Sequence, residues 1–67
     1  MTVAKVSEIT STSSKSFEDA IEKGIKRASK TLKNVSSAWI ADQECEISKG
    51  KVTAYRVRMR ITFVLEG

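Results

Sequence analysis

The spacing of hydrophobic residues along this chain changes period cleanly, and each change predicts an element. Thr2 to Ile9 (TVAKVSEI) is rich in strand-forming residues and alternates, which predicts a first β-strand. Thr10 to Ser16 (TSTSSKS) has no regular period and reads as a hydroxyl-rich turn. Ser13, Ser14 or Ser16 is then the N-cap of the next element, because a hydroxyl oxygen can accept from a free N–H of the first helical turn. Phe17, Ala20, Ile21, Gly24, Ile25, Ala28 and Leu32 follow at helical spacing, which predicts an amphipathic helix ended by Asn34. Glu18, Asp19 and Glu22 come early in it, and Lys26, Arg27, Lys30 and Lys33 come late. That order complements the helix dipole, and Asp19/Lys23 and Glu22/Lys26 add i,i+4 pairs.

Two β segments close the chain, about Ser37 to Ile47 and Val52 to Leu65, joined through Ser48-Lys49-Gly50-Lys51. In the last one Thr53, Tyr55, Val57, Met59, Ile61, Phe63 and Leu65 form one face, and Arg56, Arg58, Arg60 and Thr62 the other. The expected fold is α+β: a single βαββ domain over residues 1–67, with a three-stranded antiparallel sheet wrapped on one amphipathic helix. A three-residue loop at Lys49 to Lys51 would set Glu44 opposite Arg56 and Asp42 opposite Arg58. It would also set Cys45 by Tyr55 and Ala41 by Met59. Opposite charges directly across an antiparallel pair stabilise it by roughly 0.2–1 kcal/mol each. A two-residue loop would mix the faces.

Ordering a chain of this length costs on the order of 100 kcal/mol, and domains this small break roughly even without staples. The single Cys45 excludes an internal disulfide and a four-ligand metal cluster, and the absence of histidine removes triad and His–zinc chemistry. Oligomerisation is the remaining source of stability, so an obligate homo-oligomer is expected. No apolar run approaches a membrane span, and no secretory apolar segment opens the chain; a cytoplasmic protein without a membrane role is the expectation. The net charge of +4 is modest. Arg56, Arg58 and Arg60 could bind phosphate. Sheet-type RNA binders interleave aromatics on their basic face, however, and Tyr55 and Phe63 have the opposite parity. Salt bridging to Asp42, Glu44 and Glu46 is the simpler account, and no nucleic-acid partner is expected. The same three carboxylates could instead hold calcium or magnesium through oxygen ligands. Cys45 reads as a small buried hydrophobe.

Several pieces in order and at matching distances resemble the dodecin family, without gaps over nearly the whole chain. They are Lys5-Val6, Thr12-Ser13, Phe17-Glu18-Asp19-Ala20-Ile21, Arg27-Ala28, Lys30-Thr31-Leu32, Tyr55-Arg56-Val57 and Phe63-Val64-Leu65-Glu66. The resemblance implies a βαββ subunit of a twelve-membered hollow shell that stores or buffers flavin, FMN or riboflavin, and is not an enzyme. It also places Lys5, Ser37, Trp39 and Arg56 at or beside the flavin position. Two of these depart from the family pattern: Ser37 replaces the stacking tryptophan, and Arg56 replaces the glutamine that bonds the ring edge. Glu44-Cys45 stands for an Arg-Gly pair, and Thr62 for a glycine. Stacking aromatics and a paired polar partner are what hold a flat ring, so the departures also leave room for a shell that no longer binds flavin and has a structural or cation-binding role. Trp39, two residues past Ser37, is either a displaced platform for a planar ligand or an interface or core tryptophan. The three-residue loop would turn it toward the helix, the family pattern outward; a β-bulge near Asp42 to Glu44 would reconcile the two.

Overall fold

The computed structural model describes residues 2–66. It contains β1 (Ala4–Ser13), α1 (Phe17–Thr31), β2 (Val35–Ser48) and β3 (Lys51–Val64). The strands form one antiparallel sheet in the order β1-β3-β2, so β3 is central and both other strands are edges. This is the expected α+β, βαββ arrangement. Among the described residues no helix is long and apolar enough to cross a membrane.

The helix starts where a serine can cap it. Ser16 is the N-cap, and its Oγ accepts from the Asp19 N–H at 3.0 Å. Ser13 has a different role. Its hydroxyl is buried, donates to Asp19 Oδ2 at 2.5 Å and accepts from the Lys15 N–H at 2.9 Å, which ties the end of β1 to the first helical turn. Asp19 also pairs with Lys23 at 3.0 Å. The Ser13 hydrogen bond, then the one from Lys23, hold the Asp19 carboxyl below its ordinary value. Glu22/Lys26 does not form an ion pair among the described residues. The helix ends at Thr31 with Leu32 as its C-cap, before the expected Asn34; Asn34 lies in the left-handed region at φ 61 ahead of β2, and its amide donates to the Val64 carbonyl and to Glu66.

The segment Thr10 to Ser13 corrects the sequence reading, because it continues β1 instead of forming a turn. Of its hydroxyl residues, Ser11 is the one that must be small. Ser11 faces Gly24, where an added Cβ would lie 3.0 Å from Ser11 Cβ and collide with Met59 Cε. Gly24 and the fully or nearly buried Ala20 and Ala28 form the helix stripe that lets the backbone approach the sheet. Val57, Met59 and Ile61 of β3 meet that stripe with no exposed surface. Each such side chain contributes about 1.5–3 kcal/mol by leaving water. Phe17 packs edge-on against Tyr55, with centroids 5.0 Å apart, and closes this core at the start of the helix.

The register is the expected one through Glu46, but it arises differently. Ser48 pairs with Lys51, so the loop is the two residues Lys49-Gly50, both at positive φ (53 and 75) as a twisted two-residue hairpin requires. A bulge at Thr53 then restores the offset that a three-residue loop would have given. The Thr53 hydroxyl donates to the Glu46 carbonyl at 3.3 Å. Glu44 faces Arg56, Asp42 faces Arg58 and Cys45 faces Tyr55, as expected. Ala41 does not face Met59. It is itself the extra residue of a second bulge, so Ile40 takes that place. The bulge therefore lies one residue before the region anticipated for it, and it turns Trp39 to the face away from the helix, opposite Arg60.

Candidate functional site

The two faces of the sheet follow from these registers. On the outer face, away from the helix, cross-strand rows run Val6–Thr62–Ser37, Glu8–Arg60–Trp39, Thr10–Arg58–Asp42 and Thr12–Arg56–Glu44, with Glu46 beyond. Trp39 is the largest side chain there and is 63 % exposed. The Arg60 guanidinium lies over its ring, 4.8 Å from the centroid, and the same guanidinium donates from Nε to Glu8 at 3.3 Å. Beside this row, Ser37 and Thr62 are small and Val6 is exposed, so the sheet is low next to the indole.

The arginine stripe is compensated residue by residue. Arg56 donates to Glu44 at 2.9 Å and also to Glu46, and Arg58 to Asp42 at 3.3 Å. Hydrogen bonds to Glu44 and Glu46, in that order, raise the Arg56 pKa. Four carboxylates (Glu8, Asp42, Glu44 and Glu46) therefore meet three guanidinium groups, and the face has no positive excess for phosphates. Salt bridging was the expected role for Asp42, Glu44 and Glu46. Glu8 as the partner of Arg60 was not, since it comes from the other edge strand. Alternating parity in TVAKVSEI carried that signal once β3 is placed in the centre.

The candidate residues divide into three groups. Ser37 and Trp39 are neighbours on the outer face. Arg56 shares that face but lies four residues from Arg60 along β3, about 13 Å away, and both ends of its guanidinium are engaged. Lys5 pairs with Phe63 and lies on the helix side, so within one chain it does not reach Trp39. For Asp42, Glu44 and Glu46 as cation ligands, the chain offers arginine-bound carboxylates in a row. No group of three or more His, Cys, Asp or Glu converges on one point among the described residues. Cys45, expected to be buried, is exposed, because the helix ends before it. A groove of about 400 Å³ runs between α1 and β1, lined by Ser7, Ser11, Lys23, Arg27 and Thr31 among others; it is on the opposite face from Trp39.

A flavin ring needs a flat aromatic contact and a hydrogen-bonding partner for its edge. Trp39 supplies the first, two residues from Ser37. Arg56 does not supply the second in this arrangement, because its donors are spent on carboxylates.

Fold and face together define a class: small α+β subunits in which a three-stranded antiparallel sheet curls over one helix and carries polar and aromatic residues on its outer side. The chain belongs to the dodecin family, whose model matches residues 3–66. Solved structures agree. A single-residue mutant of the dodecin from Thermus thermophilus is 30% identical, with full coverage of both chains and a TM-score of 0.93. A dodecin from Streptomyces davaonensis is 29% identical, covering 98% of this chain and 97% of its own, with a TM-score of 0.92. A calcium dodecin from Mycobacterium tuberculosis, described with a novel calcium-binding site, is 28% identical, covering 96% and 91%, with a TM-score of 0.82. No curated protein sequence matches.

Proposed function

We propose that this chain is the subunit of a hollow homo-oligomeric shell, a homododecamer, that binds and stores flavin, FMN or riboflavin, in the cytoplasm without catalysis. Dodecins are a flavin-binding family, and the observation that carries the reading here is Trp39: a large aromatic held on the outer face, mostly exposed, next to a low strip of Ser37, Thr62 and Val6. With Arg56 engaged elsewhere and Ser37 unable to stack, affinity rests on Trp39 and is weak. Nucleic acid is disfavoured by the charge-balanced face.

Assembly is supported by shape. The chain measures 52 × 19 × 13 Å with a radius of gyration of 13.8 Å, against roughly 11 Å for a compact domain of this size. Ile47 (68 % exposed) and Val52 (47 %) are apolar residues on a projecting arm, and a second subunit would cover them.

The test is titration of FMN and riboflavin by flavin fluorescence into the natural chain, Trp39→Ala and the double variant Ser37→Trp/Arg56→Gln. The expected result is weak binding that Trp39→Ala removes and the double variant strengthens. Tight binding insensitive to Trp39 would contradict it. A second reading has its own support in the calcium dodecin: a cation held by Asp42, Glu44 and Glu46. It requires calcium or magnesium to displace Arg56 and Arg58. Calorimetric heat on adding calcium, with none on adding flavin, would favour it.

A further inference from the structure

The row Glu8–Arg60–Trp39 crosses all three strands, and each residue orients the next. Glu8 sits directly opposite Arg60 on β1 and accepts from its Nε–H at 3.3 Å. Trp39 sits directly opposite Arg60 on β2, and the guanidinium carbon lies 4.8 Å from its ring centroid. A cation over an indole face is attracted by the ring quadrupole, and a planar guanidinium also covers that face as a stacked plate. One indole face therefore carries the guanidinium, while the side chain as a whole remains 63 % exposed.

We propose that Glu8 and Arg60 are positioning residues that hold Trp39 as a one-sided stacking platform, so that a single planar, electron-poor ring system docks on the open indole face. The proposal rests on the flavin reading only for the identity of the ring; the restraint of the indole stands without it. Pre-ordering a side chain removes an entropy cost that binding would otherwise carry. Arg60 therefore strengthens stacking without touching the ligand. Because Glu8 neutralises it, it adds little attraction for a phosphate, and FMN and riboflavin bind alike. Glu8 acts one step further away, by keeping Arg60 in plane.

Trp39 is the sole tryptophan, so tryptophan emission reports on this residue alone. The test compares the natural chain, Arg60→Met, Arg60→Lys and Glu8→Gln, each confirmed as assembled by light scattering. In the ligand-free protein, emission anisotropy and quenching by acrylamide are measured; acrylamide is neutral, so the change of charge does not bias it. Arg60→Met is expected to lower the anisotropy and raise the quenching constant about two-fold. Glu8→Gln should do so less, and Arg60→Lys, which lacks the flat plate, should not restore the natural values. In the second arm, FMN and riboflavin are titrated, and Arg60→Met is expected to weaken both about five-fold. Unchanged quenching and anisotropy in Arg60→Met and Glu8→Gln would overturn the proposal, as would flavin binding that is indifferent to both substitutions. If the quenching changes appear but the natural chain binds neither flavin, the positioning role stands and the flavin reading falls.

Discussion

The β2–β3 hairpin is one continuous ribbon, yet its two halves are stabilised by different physics. A 15-residue helix spans about 22 Å, while a 14-residue strand spans about 46 Å, so the helix can cover only half of the hairpin. Over that half, from Tyr55 to Phe63, the inner face is Val57, Met59 and Ile61 with no exposure, against the small stripe of Ala20, Gly24 and Ala28. Beyond Tyr55 the ribbon projects as an arm. Its inner face presents Cys45, Ile47 and Val52 with no helix over them, while on the outer face the charge ladder of Asp42, Glu44, Arg56 and Arg58 runs along the body and reaches the arm only at Glu46. The body is a folded core; the arm is an unfinished one. The difference teaches that burial under the helix stabilises the body, while the arm leaves Ile47 and Val52 exposed on a ribbon held by strand pairing alone.

The largest effect tests that division directly. Ile47→Glu combined with Val52→Glu puts like charges opposite each other where the arm is expected to be buried by a neighbouring subunit. Loss of the assembly is expected, seen as a fall to small species by light scattering. An assembly of unchanged mass would show that the arm's apolar side is not an interface. Within the body, Met59→Ala removes a side chain with no exposed surface and is expected to cost about 2–5 kcal/mol, read from thermal or chemical denaturation. Gly24→Val comes next. Its Cβ would already collide with Met59 Cε and press on Ser11, and overpacking of this kind costs about 1–3 kcal/mol. The Met59 methyl can move but the Ser11 Cβ is fixed to its strand, so Gly24→Val/Met59→Leu should recover only part of the loss.

The same division explains what the sequence revealed. Elements driven by burial were legible: the helical stripe from Phe17 to Leu32 and the alternation of Val57, Met59 and Ile61 give the βαββ order directly. Charge pairs on the outer face of the hairpin were legible too, since Glu44–Arg56 and Asp42–Arg58 fit one register. The route to that register was not, because a two-residue loop with a bulge at Thr53 and a three-residue loop give the same offset. Ser11 and Ser13 hid the second half of β1: a serine that is small so that Gly24 can approach, and one that ties the strand to the helix start, look the same as turn residues. At the candidate site, Trp39 was visible but its face was not. That face depends on the single extra residue Ala41, and nothing in an alanine announces a bulge. Arg60 was read as a partner of the β2 carboxylates, whereas strand order gives it to Glu8. Lys5 was drawn to the site by resemblance and falls on the other face.

The smallest effect concerns the joint that starts the body. Asp19 accepts from the buried Ser13 hydroxyl and from Lys23, and both hold its carboxyl below the ordinary value of 3.8. A carboxyl depressed in the folded state contributes stability that is present above its unfolded value. That contribution is lost as pH falls from about 3.8 through the lower folded value. The group is only partly buried and still reaches solvent, so the effect on melting temperature is small. Asp19→Asn is expected to lower the melting temperature slightly at neutral pH and to flatten its fall below pH 3.8, so that the two proteins converge in acid. Ser13→Ala should reproduce part of the loss at neutral pH, because it removes the first of the two hydrogen bonds but leaves the charge pair with Lys23. A constant difference between natural and variant proteins across the acid range would show that Asp19 acts only through the geometry of the turn. Should acid release the assembly while this joint holds, the arm would separate from the body in the way their different chemistry implies. Circular dichroism and light scattering on the same samples separate the two events.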